Sequence, residues 1–103
     1  MENDVVRMTL RIPPETYRRL EDYSRAVNAS SWSQTLRFFT KNFLASPADH
    51  PNIELPEGSG NKRQTSVAIS REDADKLHDI AEERGVKISY LMLLVIHYGL
   101  TGF

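Results

Sequence analysis

The chain contains an internal repeat, and a repeat of this length limits the possible folds more than any other feature of the sequence. Arg7-Met8-Thr9-Leu10-Arg11-Ile12-Pro13-Pro14-Glu15 aligns with Gln64-Thr65-Ser66-Val67-Ala68-Ile69-Ser70-Arg71-Glu72 at an offset of 57 residues. In each copy a short alternating segment runs into a helix-start signal. Met8, Leu10 and Ile12 fall on one face of an extended chain, with Arg7, Thr9 and Arg11 on the other. In the second copy Thr65, Val67 and Ile69 take the inner face, and Gln64, Ser66 and Ala68 the outer. Each segment is long enough for one strand and too short for a sheet of its own.

Helix chemistry follows in both copies. Pro13-Pro14-Glu15 puts proline in a first turn, where the missing N–H costs nothing. Ser70-Arg71-Glu72-Asp73 offers a serine cap followed by acids, close to a capping box. Tyr17, Leu20, Ser24 and Val27 then correspond to Ala74, Leu77, Ala81 and Arg84, and Tyr23 to Ile80, predicting one apolar stripe per helix. Asn28-Ala29-Ser30 and Gly85-Val86-Lys87 are turns, with Gly85 a left-handed stop. A second helix follows at an offset of 56, where Trp32, Leu36, Phe39 and Phe43 recur as Ile88, Met92, Val95 and Gly99.

The predicted order is strand–helix–helix, twice: one unit over 1–46, a linker over 47–61 and a second unit over 62–103. The linker holds prolines 47, 51 and 56 with Gly58 and Gly60, and shows almost no apolar periodicity. Fully extended it would span roughly 50 Å, ample for the second unit to fold back on the first. Leu91 to Ile96 is apolar all around a helix, so burial on every side is expected. Its surplus, Leu93 and Leu94 together with Phe38, is either core or a surface for self-association.

A strand, an amphipathic helix, a small-residue turn and a Ser-x-Ser entry to an apolar helix together resemble the ribbon-helix-helix (MetJ/Arc) family. The resemblance is carried by Thr9-Leu10-Arg11-Ile12-Pro13 and Ser31-Trp32-Ser33-Gln34-Thr35-Leu36. In the second copy it is carried by 64–69 and Gly85-Val86-Lys87-Ile88-Ser89. It covers about four-fifths of the chain, and the tandem layout is similar to the TraY-type proteins of conjugative plasmids. It implies a mostly α fold with a two-stranded antiparallel ribbon, in which two ribbon-helix-helix units form a single-chain pseudo-dimer. One unit has a strand with unpaired edges and two helices that cannot close a core; two units can.

Double-stranded DNA is the implied partner. The outward strand residues Arg7, Thr9, Arg11, Gln64, Ser66 and Ala68 then become base readers, although polar residues also line any solvated strand. Arginine grips guanine O6 and N7, glutamine grips adenine, and Thr and Ala methyls touch thymine. Ala68 offers no hydrogen bond and is consistent with a half that has lost its role. The family also implies phosphate clamping at the start of each second helix, here Ser31, Trp32 and Ser33, and Lys87, Ile88 and Ser89, where serine capping coexists with clamping. Trp32 reads as a core or hinge aromatic rather than a base-stacker. Lys62 and Arg63 are further phosphate candidates, or simply a solvated linker end.

The net charge of −1 counts mildly against nucleic acid, but its distribution is uneven. Residues 1–48 carry seven bases against five acids, 49–61 three acids and no base, and 62–103 six of each. With no cysteine and an acidic, polar N-terminus unlike a secretory signal, a cytoplasmic, nucleoid-associated protein is expected. No apolar run suits a membrane span, and neither cofactor nor small-molecule substrate is evident. His50, His78 and His97 lack metal spacing, and His97 reads as a core histidine. Gly58-Ser59-Gly60-Asn61-Lys62 lacks phosphate-loop spacing, and Glu72, Asp73, Asp75, Asp79, Glu82 and Glu83 read as a solvated acidic face. An enzyme is not expected. The expectation is a sequence-specific repressor reading an asymmetric site. The alternatives are an accessory factor of a conjugation or partition complex and an antitoxin-like protein-interaction module with weak or lost DNA binding.

Overall fold

The alternation of apolar and polar residues produces two strands, β1 (Val5–Ile12) and β2 (Arg63–Ser70), which pair antiparallel in one two-stranded sheet. The structure is a computed structural model and describes residues 5–52, Leu55 and 63–102. Four helices accompany the sheet among the described residues: α1 (Pro14–Ala26) and α2 (Trp32–Ala45) after β1, α3 (Arg71–Arg84) and α4 (Ile88–Thr101) after β2. Met8, Leu10, Ile12, Val67 and Ile69 are buried, whereas Arg7, Thr9, Arg11 and Gln64 are exposed. The period-2 pattern therefore sets one face of the sheet against the helices and the other toward solvent.

The turn chemistry matches across the repeat. Asn28 has φ 59° and its counterpart Gly85 has φ 69°, both left-handed. Ala29 N–H then donates to Ser24 O at 2.9 Å, and Val86 N–H donates to Ala81 O at 3.0 Å. These bonds satisfy carbonyls that the helix ends would otherwise leave open. At the helix starts, Ser70 Oγ accepts from Asp73 N–H at 3.2 Å and Ser31 Oγ from Gln34 N–H at 3.3 Å. Lys87 occupies the cap of α4 and supplies no side-chain cap.

The core joins both copies. Helix α4 packs against β1 and α2 against β2, while α2 and α4 lie against each other. Each strand is thus covered in part by a helix from the other copy. Leu36, Phe39, Phe43, Leu91, Met92, Leu94, Val95 and Ile96 fill the centre, and Tyr23 meets Phe39 edge-on at 5.1 Å. At Gly99 an added Cβ would lie 2.3 Å from the Phe39 ring, so α4 is notched to receive that ring.

Several expectations need correction. Val27 is not part of a buried stripe: it caps α1 and is 52% exposed, because the helix has already ended. Its counterpart Arg84 is half-buried, with its guanidinium bonded to Pro47 O and Asn52 Oδ1. Leu94 is fully buried in the core, so it supplies no surplus surface, while Phe38 is 57% exposed and Leu93 partly covered. Asp73 leaves the solvated acidic face: it is 6% exposed, and its Oδ2 lies 2.9 Å from Lys41 Nζ. His97 is only half-buried.

The linker also begins as structure. Pro47–Asp49 forms a 3-10 turn, Arg84 donates to Pro47 O at 2.7 Å and to Asn52 Oδ1 at 3.1 Å, and Tyr98 Oη donates to Pro51 O. His50 lies between the Phe43 ring at 5.8 Å and the Tyr98 ring at 5.0 Å. The segment 47–52 is a strap over the ends of α2, α3 and α4.

Candidate nucleic-acid interface

The outward face of the sheet collects the residues that the alternation singled out. Arg7, Thr9, Arg11 and Gln64 are exposed, and Ser66 and Ala68 are half-buried. The face carries two cations and no anion at positions 5, 7, 9 and 11 of β1 and 64, 66, 68 and 70 of β2. Arg7 Nη1 lies 3.4 Å from Ser66 Oγ, a diagonal contact that steadies one guanidinium over the strand pair.

The register has a symmetry that the repeat explains. Thr9 pairs with Ser66, its own counterpart in the second copy. Arg7 pairs with Ala68 and Arg11 with Gln64, so positions equivalent in the repeat are exchanged across the sheet. In the strand pair this exchange is centred on Thr9–Ser66, and the residues on the two sides of that pair differ. One end offers Arg7 beside Ala68; the other offers Arg11 beside Gln64. Two guanidiniums facing water, each with a different neighbour, make a surface able to hydrogen-bond acceptor-rich edges in a directional order.

The phosphate candidates are less uniform. Ser31 is the exposed N-cap of α2, and Gln34 Oε1 reaches back to Ser30 N at 2.8 Å and Ser30 Oγ at 2.7 Å. Trp32 is half-buried, its ring 5.9 Å from Tyr17, in keeping with a core-edge aromatic. Ser33 and Ser89 are half-buried within their first turns, and neither is the cap residue. At α4, Lys87 is exposed and Ile88 packs against the core. Arg63 opens β2 opposite Ile12, and Lys62 lies outside the described residues, as does 58–61 of the glycine-containing stretch.

Sequence reasoning missed two groups of residues. The Lys41–Asp73 pair and the Arg84–His50–Tyr98–Phe43 cluster, with the Arg84 guanidinium 5.4 Å from the Phe43 centroid, join residues far apart in the chain. No local pattern marks such contacts. The Asp73 carboxylate, first by hydrogen bond and then by charge, raises the Lys41 ammonium above its ordinary value. Burial pushes the Tyr98 phenol up, against the opposing pull of Arg84.

No family model matches the chain, and no curated protein or solved structure matches it significantly. No helix among the described residues is long and apolar enough to cross a membrane.

Proposed function

We propose that the chain is a sequence-specific DNA-binding protein of the ribbon-helix-helix class, a single-chain pseudo-dimer acting as a transcriptional repressor. The observation that carries this reading is the register centred on Thr9–Ser66, with Arg7, Arg11 and Gln64 exposed on the outward face. A two-stranded ribbon fits the major groove, where each base pair presents a distinct pattern of donors and acceptors. Arg7 and Arg11 are matched to guanine O6 and N7, Gln64 to adenine, and Thr9 and Ala68 to thymine methyls. The α2 and α4 N-termini supply main-chain N–H groups for phosphates on either strand. Because the two ends of the ribbon differ, the preferred site is asymmetric. Occupying such a site over a promoter would exclude polymerase, and the same surface suits an accessory factor of a conjugation or partition complex.

The test is a titration of duplex DNA with the parent chain and with Arg7→Ala/Arg11→Ala. Each good bidentate contact discriminates by about 1–3 kcal/mol, so the variant is expected to lose roughly 30-fold or more of its preference for a selected site over random duplex. Its circular dichroism and melting point should stay close to the parent's, since both side chains are exposed. Equal preference in the two proteins would remove the readers from the proposal.

A second reading, an antitoxin-like protein-interaction module, is favoured by half-buried Ala68 and by the exposed acids Glu72, Asp75, Asp79, Glu82 and Glu83 of α3. Salt separates the two. DNA binding requires log K to fall by about 0.9 per neutralised phosphate for each log unit of salt. A salt-insensitive, sequence-blind association would favour the module.

A further inference from the structure

The two copies differ at the positions that face each other, and the differences are complementary in three layers. In the core, Phe39 and Phe43 of the first copy correspond to Val95 and Gly99 of the second. The Phe39 ring occupies the notch at Gly99, where even one added carbon would stand 2.3 Å from Cδ2 and Cγ. That ring has little freedom to retreat, because it is 1% exposed and braced edge-on by Tyr23. Two first copies paired as these two halves are would set Phe39 against Phe43, a whole ring where a methyl does not fit. Two second copies would set Val95 against Gly99 and leave a void.

The sheet repeats the message. Here Arg7 faces Ala68 and Arg11 faces Gln64. Pairing β1 with a second β1 about Thr9 would place Arg7 opposite Arg11 at both ends, and like charges directly opposite are destabilising. On the helix surface, the Lys41–Asp73 pair crosses from one copy to the other at 2.9 Å. In the repeat its counterparts are His97 and Thr16. A pair of first copies would therefore leave Lys41 beside a threonine.

We infer that the interface between the copies is selective for unlike halves: the first half accepts the second half and rejects another first half, while two second halves are disfavoured by the void at Gly99. The inference rests on the half-to-half pairing proposed above. It adds that the chain carries a single kind of ribbon. Two chains meeting in solution do not rearrange into like-paired dimers with two-fold symmetric reading faces, so one reading surface is presented at every concentration.

Two DNA-free measurements test this on the full chain. In a cycle of Gly99→Ala, Phe39→Leu and the double variant, Gly99→Ala alone should lower the melting temperature by about 5 °C or more. The loss should be at least halved in the Phe39→Leu background, where the ring is gone. Additive losses, or a Gly99→Ala chain as stable as the parent, would overturn the matched interface. The second measurement uses the absence of cysteine. Thr9 and Ser66 pair directly, at a separation a disulfide tolerates in antiparallel strands. In a glutathione redox buffer, Thr9→Cys/Ser66→Cys should lock into a disulfide, whereas Thr9→Cys alone should stay a thiol monomer of 11.8 kDa. Like-half pairing brings two copies of position 9 together, so a stable disulfide dimer of the single variant would contradict the inference. With no DNA present, failure here is distinct from failure to bind a duplex.

Discussion

Gly99 and Phe39 illustrate how much one position decides. Glycine inside a helix costs about 1 kcal/mol relative to alanine, and α4 bears that cost where Phe39 needs the space. Asp73 makes a similar point with charge. It is nearly buried, held by the Ser70 cap at its N–H and by Lys41 at its carboxylate. Both groups with raised values, Lys41 and Tyr98, act in the same direction on stability. A raised value in the folded state means the stabilisation is fully present below the ordinary value, 10.5 for lysine and 10.0 for tyrosine, and is lost as pH climbs through the folded one. Urea midpoints are therefore expected to fall once the pH passes about 10, and Lys41→Met should flatten the fall. A midpoint rising between pH 10 and 11 would contradict the assignment.

Elements were legible where periodicity and caps are local. The alternation Met8-Leu10-Ile12 against Arg7-Thr9-Arg11 describes β1 as found, and Ser70 and Gly85 bound α3 as their chemistry requires. Contacts between distant segments were not legible. Nothing near Pro47 or Asn52 signals a partner at Arg84, and the composition of 47–52 reads as linker although it is strapped down. Leu94 reads as surplus because one helix cannot show what its neighbours cover. The two second helices also differ at their caps. Ser31 caps α2 and Lys87 leaves α4 without a side-chain cap. Ser31→Ala should cost about 1 kcal/mol, and Lys87→Ser should gain a similar amount by adding a cap and removing a cation from the positive end of the helix. Chemical denaturation would read both; a Lys87→Ser chain no more stable than the parent would refute the second.

At the scale of the molecule the core is shared along the chain, since β1 packs on α4 and β2 on both α2 and α3. A large-to-small change in the shared centre should therefore unfold both halves together. Leu10→Ala is expected to cost about 2–5 kcal/mol and to shift the Trp32 fluorescence and the far-ultraviolet signal along one transition. Two separated transitions would show independent halves. The candidate site was legible as a list of residues and, because the two strands differ, as asymmetric; which residues are neighbours across the sheet was not legible. Only the pairing of Thr9 with Ser66 reveals that Arg7 and Arg11 lie on opposite sides of that pair with different neighbours.

The measurement that bears most directly on this account is selection of bound duplexes from a random pool, sequenced after several rounds. The account predicts enrichment of one short site without inverted symmetry, holding a guanine contact on each side of its centre and an adenine preference on one side only, and loss of that enrichment in Arg7→Ala/Arg11→Ala. No enrichment, or a palindromic site, would contradict it.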